Sequence, residues 1–272
     1  MVARARLIAL SLALATGAAI AAPRADLWER WAVHDDNNKE SIGHRAWDEF
    51  LGKYVVRGAD GINRVPYGRI EGADRAHLRD YLAQMQAMPI TKYSRAEQRA
   101  YWVNLYNATT VNVVLDHYPV KSIKDISISP GWFASGPWGA KLLKVEGEDV
   151  SLDDIEHRIL RPIWKDPRTH YSVNCASLGC PNLQPRAFTA AFMEGMLDEA
   201  ARAFVNSPRA AQVREGLLQV SSIYKWFASD FGGDSGVLAH LAEYAGPELA
   251  DELRAHKSLD AYAYDWSLND AK

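Results

Sequence analysis

The chain has 272 residues, 48% of them hydrophobic, and a net charge of −3 with no block of basic residues. That size suits one large domain, or a domain with a small appendage, and is enough for a sizeable core. The mild acidity excludes a nucleic-acid footprint and a polybasic membrane-surface site.

The chain opens with MVARARLIALSLALATGAAIAAP. Arg4 and Arg6 form a basic head, Leu7 to Ile20 an uncharged apolar run, and Ala19 and Ala21 a small-residue pair before Pro23. This is the layout of a signal peptide cut after Ala21, and it predicts a periplasmic or secreted protein. The run is short for a bilayer span, which needs about 20 residues. No later stretch is apolar enough, so the mature chain is expected to lack a membrane span.

DLWERWAVHD sets Leu27, Trp28 and Trp31 at helical spacing, and RVPYGRI reads as a short extended segment. DRAHLRDYLAQMQAMP is an amphipathic helix with Leu78, Tyr81, Leu82 and Met85 on one face. Ser94 and Glu97 make a capping box. The helix it opens, RAEQRAYWVNLYNATTVNVVLDHY, is the longest and most apolar in the chain and is predicted to lie at the centre. Pro119 stops it near Tyr118. SPGWFASGPWG reads as a loop carrying Trp132, Phe133 and Trp138, and LLKVEG as a strand turned by Gly147. SLDDIEHRILRPIW begins with a second box, Ser151 to Asp154, and runs as a helix until Pro162. THYSVNC is predicted as a strand, 187–206 as a helix, and AQVREGLLQVSS as a hairpin. SSIYKWFASDFGG is a helix capped by Ser221 or Ser222 and ended by Gly232. Two small helices and a YAYDWSL strand finish the chain. Helices outnumber strands without regular alternation. The fold expected is α+β: a mostly helical single domain with a small, mainly antiparallel sheet.

Four places carry candidate chemistry. The first is HYSVNCASLGCP, with the two cysteines. Cys175, after Asn174 at a strand-to-turn junction, could sit beside free backbone N–H groups that lower its pKa and bind an oxyanion. Alternatively, in an oxidising compartment Cys175 and Cys180 form a disulfide, or both are buried and inert. The second is Asp153 and His157, at i and i+4 on one helix face. With Cys175 they would make a nucleophile, a base and an orienting carboxylate; the alternative is an ordinary surface pair. His170 is the rival histidine. On a strand it shares a face with Ser172 and Asn174, so Cys175 points away from it.

The third place is Asn104 and Asn107, at i and i+3 around Tyr106 in the central helix. They are either a hydrogen-bonded clamp or amide donors to an oxyanion. The fourth is aromatic: Trp132, Phe133 and Trp138, with Trp226 and Asp230 at i and i+4. These rings are a platform for sugar or peptide, or a cover for the core. Asp230 falls in the last turn of its predicted helix, where the dipole disfavours a negative charge, so an arginine, a backbone donor or a ligand should offset it. No metal is expected, because Asp35-Asp36-Asn37-Asn38 lacks the spaced calcium-loop pattern. No phosphate loop or dinucleotide fingerprint appears, so no cofactor is expected either.

YWVNLYNATTVN, HYPVKSI, SLDDIEHRILRP, HYSVNCASLGCPNL, SSIYKWFASDFG and YAYDWSLN occur in this order, and together they resemble the domain of unknown function 547 family. The similarity runs from about Arg99 to Asn269. Together with the leader pattern, it divides the chain into a signal peptide over 1–21, an N-terminal helical region packed on the core over 22–95, and a DUF547-like domain over 96–272. The family has no settled activity to carry over, so two readings stand. One is an exported thiol-dependent hydrolase or acyltransferase on a peptide or cell-envelope amide. The other is a non-catalytic peptide- or glycan-binding module stapled by Cys175–Cys180. The partner in either case is an unidentified peptide, glycan or envelope component.

Overall fold

A computed structural model describes residues 23–131 and 134–271. The leader pattern over 1–21 and the side chains of Trp132 and Phe133 lie outside the described residues. The elements run α1 (Arg45–Tyr54), β1 (Val56–Arg57), β2 (Asn63–Arg64), α2 (Gly72–Gln86), α3 (Arg95–His117), β3 (Leu143–Val145) and β4 (Glu148–Val150). A π-helical segment, Asp154–Leu160, leads directly into α4 (Arg161–Trp164), followed by α5 (Thr169–Ser172) and α6 (Met193–Val205). The chain ends with β5 (Ala211–Arg214), β6 (Leu217–Ser221), α7 (Ser222–Trp226), α8 (Gly233–Tyr244), α9 (Pro247–Arg254) and β7 (Ala261–Ala263). This is a mostly helical α+β domain with small sheets. β1–β2 and β3–β4 are antiparallel pairs, and β6 pairs antiparallel with β5 and parallel with β7. No described helix is long and apolar enough to cross a membrane.

α3 is the axis of the molecule. The Ser94 hydroxyl accepts from the Glu97 N–H, while the Glu97 carboxylate turns away to the Ile42 N–H. Side chains are buried all round the helix from Gln98 to Leu115, apart from Asn112, so it behaves as a core helix rather than an amphipathic one. Trp31, Trp47 and Tyr81 from the N-terminal region pack into the same core as Tyr101 and Trp102. A second core gathers Tyr171, Phe204, Tyr224, Phe231 and Leu241 between α6, α8 and the three-stranded sheet. Residues 171–176 cross from one core to the other: Tyr171 belongs to the second, Val173 and Ala176 to the first.

Several local expectations are corrected. THYSVNC is not a strand: residues 169–172 form the helical turn α5, and the chain then runs on without a ladder. The reason is the Asn107 side chain, which donates to the Ser172 carbonyl at 2.8 Å and accepts from the Asn174 N–H at 2.8 Å, replacing strand partners. RVPYGRI is extended only at its start and becomes a 3₁₀ turn at Tyr67–Arg69. The helix expected to end at Pro162 continues to Trp164, because the proline sits in the first turn of α4, where its missing N–H is tolerated. Phe188 precedes α6 rather than lying on it. SSIYKWFASDFGG is two pieces broken at Phe227: α7, capped by Ser221, and a 3₁₀ turn Ala228–Phe231, ended by Gly232 at φ 84°. Trp226 and Asp230 therefore do not share one helix. The predicted hairpin forms, with Glu215 and Gly216 both at positive φ in its turn.

Candidate functional site

The Cys175 loop is built from both ends of the domain. From α3, Asn107 holds Ser172 and Asn174, and Asn104 holds both backbone groups of Phe188, at 2.7 and 3.0 Å. Asn174 then closes the loop on itself: its amide donates to the Pro181 carbonyl at 2.7 Å and its Oδ1 accepts from the Ala176 N–H at 2.9 Å. That second bond holds Ala176 at φ 56°, a left-handed conformation unusual for a residue with a Cβ. From the C-terminus, residues 265–269 run antiparallel to the loop. Gly179 N–H donates to Asp265, Leu178 N–H to Ser267, and Asn269 N–H to Ala176. Gly179 has to be glycine here, since a Cβ would stand 2.8 Å from the Asp265 nitrogen.

This return strap delivers Tyr264 to the thiol. The half-buried Cys175 sulfur has Ser177 Oγ at 3.2 Å, Tyr264 Oη at 3.1 Å and Cys180 Sγ at 3.1 Å, and the two cysteines are unbonded. The Cys180 thiol lowers the Cys175 pKa most. Burial opposes it, the Ser177 and Tyr264 hydroxyls add to the lowering, and the negative charge of Glu156 works against it. Burial pushes Cys180 well above the ordinary thiol value, and its neighbour adds to that shift. The two shifts thus run in opposite directions, Cys175 down and Cys180 up. The N–H groups expected to be free are taken: Cys175 N–H donates to Cys180 Sγ at 3.0 Å and Ala176 N–H to Asn174. Asn104, Asn107 and Asn174 act as clamps, each amide engaged through both its oxygen and its nitrogen.

The histidines lie in a separate buried network. Asp153 and His157 do meet, with Oδ1 and Nε2 3.7 Å apart. His157 Nδ1 accepts from Arg161 Nη1 at 3.0 Å, which leaves the neutral ring with its proton on Nε2, facing Asp153. No imidazole is among the hydrogen-bond partners of Cys175. Burial lowers the His157 pKa, while burial and the carboxylates of Glu156 and Asp154 raise Asp153 to about 6. Arg161 makes a two-pronged pair with Asp230, at 2.6 and 3.0 Å, and His170 Nε2 reaches the same carboxylate at 2.8 Å. The offset expected for the Asp230 charge is thus met by an arginine and a histidine. The Phe227 ring stacks on His170 at 4.1 Å, with the Arg161 guanidinium 4.8 Å from its centroid. Glu156, 3.8 Å from His170 Nδ1, accepts from the Tyr106 hydroxyl at 3.1 Å. Burial raises Tyr106 far above its usual value, and the charges of Glu156 and Cys175 both add to this, so thiol and network are electrostatic neighbours through that ring.

Above Cys175 stands a half-exposed aromatic wall. Tyr264 packs on Trp266 at 4.6 Å and on Trp226 at 4.9 Å, Trp138 meets Trp266 edge-on at 5.8 Å, and Lys124 lies over Trp266 at 5.0 Å. Sequence reading missed Tyr264, Trp266, Ser177 and Arg161. Arg161 was within reach, four residues after His157 on the same helical run. Tyr264 lies in the YAYDWSLN motif, but nothing in its own segment ties it to Cys175, 89 residues away. Among the described residues, no group of three or more His, Cys, Asp or Glu side chains is placed to hold a metal ion.

Fold and site together define an α+β domain that presents an asparagine-clamped thiol beneath an aromatic wall. Residues 90–205, which carry α3, the π-helical segment and the cysteine loop, match the family described as "Protein of unknown function, DUF547". No curated protein and no solved structure matches the chain.

Proposed function

We propose that the chain is an exported thiol-dependent enzyme in which Cys175 is the nucleophile, acting by acyl transfer or hydrolysis on a peptide or cell-envelope amide. The observation that supports this most directly is the half-buried Cys175 sulfur with three hydrogen-bonding groups within 3.2 Å, those of Ser177, Tyr264 and Cys180. A thiolate is the nucleophilic form, and hydrogen bonds to it favour it at neutral pH. A preformed thiolate needs no base for its attack, so the engagement of His157 with Arg161 is no obstacle. The sulfur adds to the carbonyl carbon and the C=O electron pair moves to oxygen. Collapse then breaks the C–N bond, and the departing amine takes a proton from the Tyr264 hydroxyl. Water or an acceptor amine opens the resulting thioester and returns that proton. Trp226, Trp266 and Trp138 would line the approach, as large rings suit a peptide or sugar chain. The leader pattern over residues 1–21 supports export.

The test is the rate of iodoacetamide alkylation of Cys175 against pH, together with intact mass after exposure to an activated ester. Cys175 should titrate well below the ordinary thiol value of about 8.5 and carry the acyl group, and Cys175→Ser should lose both. Titration of Cys175 at or above about 8.5 would overturn the assignment.

A further inference from the structure

Cys180 does little in acyl transfer beyond polarising its neighbour, yet its placement is specific. Its sulfur lies 3.1 Å from Cys175 Sγ, on the buried side of the loop, and takes the Cys175 N–H at 3.0 Å. Cys175 is half-buried and Cys180 only 5% exposed, so an incoming molecule reaches Cys175 first. The backbone that carries both is already fixed. Asn174 closes the loop, the C-terminal strap binds Leu178 and Gly179, and Asn107 holds the entry. A permanent staple would add little to a loop held this way. Bringing the sulfurs to bonding distance, about 2.05 Å, asks only for side-chain rotation of about 1 Å.

We infer that Cys175 and Cys180 form an attacking and resolving pair for thiol–disulfide exchange with peptide disulfides. The inference rests on the reading of Cys175 as a nucleophile and adds a second activity to it. In the first step the Cys175 thiolate attacks one sulfur of R–S–S–R′. The substrate S–S bond breaks, Cys175–S–S–R forms, and R′S⁻ leaves and takes a proton from solvent. In the second step Cys180 attacks Cys175 Sγ. The mixed disulfide breaks, the Cys175–Cys180 bond forms, and RS⁻ leaves with the proton that Cys180 gives up. Two electrons pass from the protein dithiol to the substrate, yielding two thiols and one internal disulfide. Return to the dithiol needs an external thiol, which runs the same steps backwards. Ser177 and Tyr264 stabilise the Cys175 thiolate of the reduced pair, which makes the internal disulfide easily surrendered.

The experiment uses the full chain, reduced and freed of reductant, exposed to oxidised glutathione and followed by intact mass. The wild type should pass through a transient glutathione adduct and end with the loss of two hydrogens and two reduced glutathiones released. Reduced glutathione in excess should restore the dithiol. Cys180→Ser should stop at a lasting adduct on Cys175, and Cys175→Ser should react more than about tenfold slower. A wild type that keeps the adduct and forms no internal disulfide overturns the resolving role and leaves Cys175 standing as a nucleophile. A wild type that forms neither species overturns both. The wild-type measurement decides without any variant, so a folding defect in Cys180→Ser does not obscure it.

Discussion

Replacing Asp230 by asparagine removes one negative charge and leaves the shape. The Arg161 side chain is 3% exposed and Asp230 19%, so the cation cannot turn to water when its partner goes. Asp230 Oδ2 accepts from Arg161 Nε and His170 Nε2, while Oδ1 accepts from Arg161 Nη2. An amide oxygen in the Oδ2 place keeps the first two bonds in weaker, neutral form. The amide nitrogen then faces Arg161 Nη2 at 3.0 Å, donor against donor. Breaking a buried pair from one side costs about 3–5 kcal/mol, because the surviving charge stays buried and uncompensated. We expect that loss in urea unfolding, read as a fall in midpoint at unchanged m-value. Asp230→Leu combined with Arg161→Met should recover much of it, since a buried ion pair is often matched by apolar residues of similar volume. Burial alone would raise the Asp230 pKa, but the hydrogen bonds from His170 and Arg161 hold it well below the usual carboxylate range. A depressed carboxylate contributes stability above its unfolded pKa and loses it as pH falls through the folded value. The cost of Asp230→Asn should therefore be level from pH 7 to pH 5 and shrink below about pH 4. A cost under about 1 kcal/mol would mean that the pair behaves as a solvated surface bridge, and would refute the buried-network argument.

Acid should weaken the fold through two buried histidines before the depressed carboxylates titrate. Burial lowers both His44 and His240 to about 4, and His44 has a buried Nε2 without a partner. The unfolded chain takes those protons first, so stability is full above about pH 6.5 and falls toward pH 4, by roughly 2–3 kcal/mol per histidine. Urea midpoints at several pH values should show the slope, and His44→Gln with His240→Gln should reduce it; a slope unchanged in that double variant would refute the assignment. Gly179→Ala should push the 265–269 strap outward, because its Cβ would meet the Asp265 backbone at 2.8 and 3.0 Å. We expect a cost of about 1–3 kcal/mol and an upward shift in the alkylation pKa of Cys175 as Tyr264 withdraws. An unchanged titration would show that Tyr264 does not act on the thiol.

What the sequence made legible is what neighbouring residues decide. The Ser94 cap, the Pro119 stop and the nearly unbroken buried girth of residues 98–115 suffice to place α3 at the centre. The reciprocal bonds of Ser151 and Asp154 appear as the second box implied, at 2.9 and 3.1 Å. THYSVNC failed for the opposite reason. Its β-prone composition is overruled by Asn107, 65 residues upstream of Ser172, whose single amide meets two backbone groups that a strand would have paired elsewhere. An asparagine inside a buried helix signals a need for partners, but composition does not say whether those partners are backbone or ligand. The i, i+4 rule brought Asp153 to His157 and, extended one turn, would have brought Arg161.

The contacts that decide the chemistry are the ones no local rule reaches. The acidic character of the Cys175 thiol draws on Tyr264 as well as on Cys180 and Ser177, and Tyr264 arrives only because β7 pairs parallel with β6 and the chain then doubles back along the cysteine loop. Each step of that return is held by backbone hydrogen bonds, so its register leaves no trace in hydrophobic periodicity. The glycine at 179 is the one sequence mark of the close approach, and it reads as an ordinary turn residue until the strap is seen beside it. The thiol is thus an assembled property of two chain segments, and loosening the strap should cost reactivity before it costs the central core around α3.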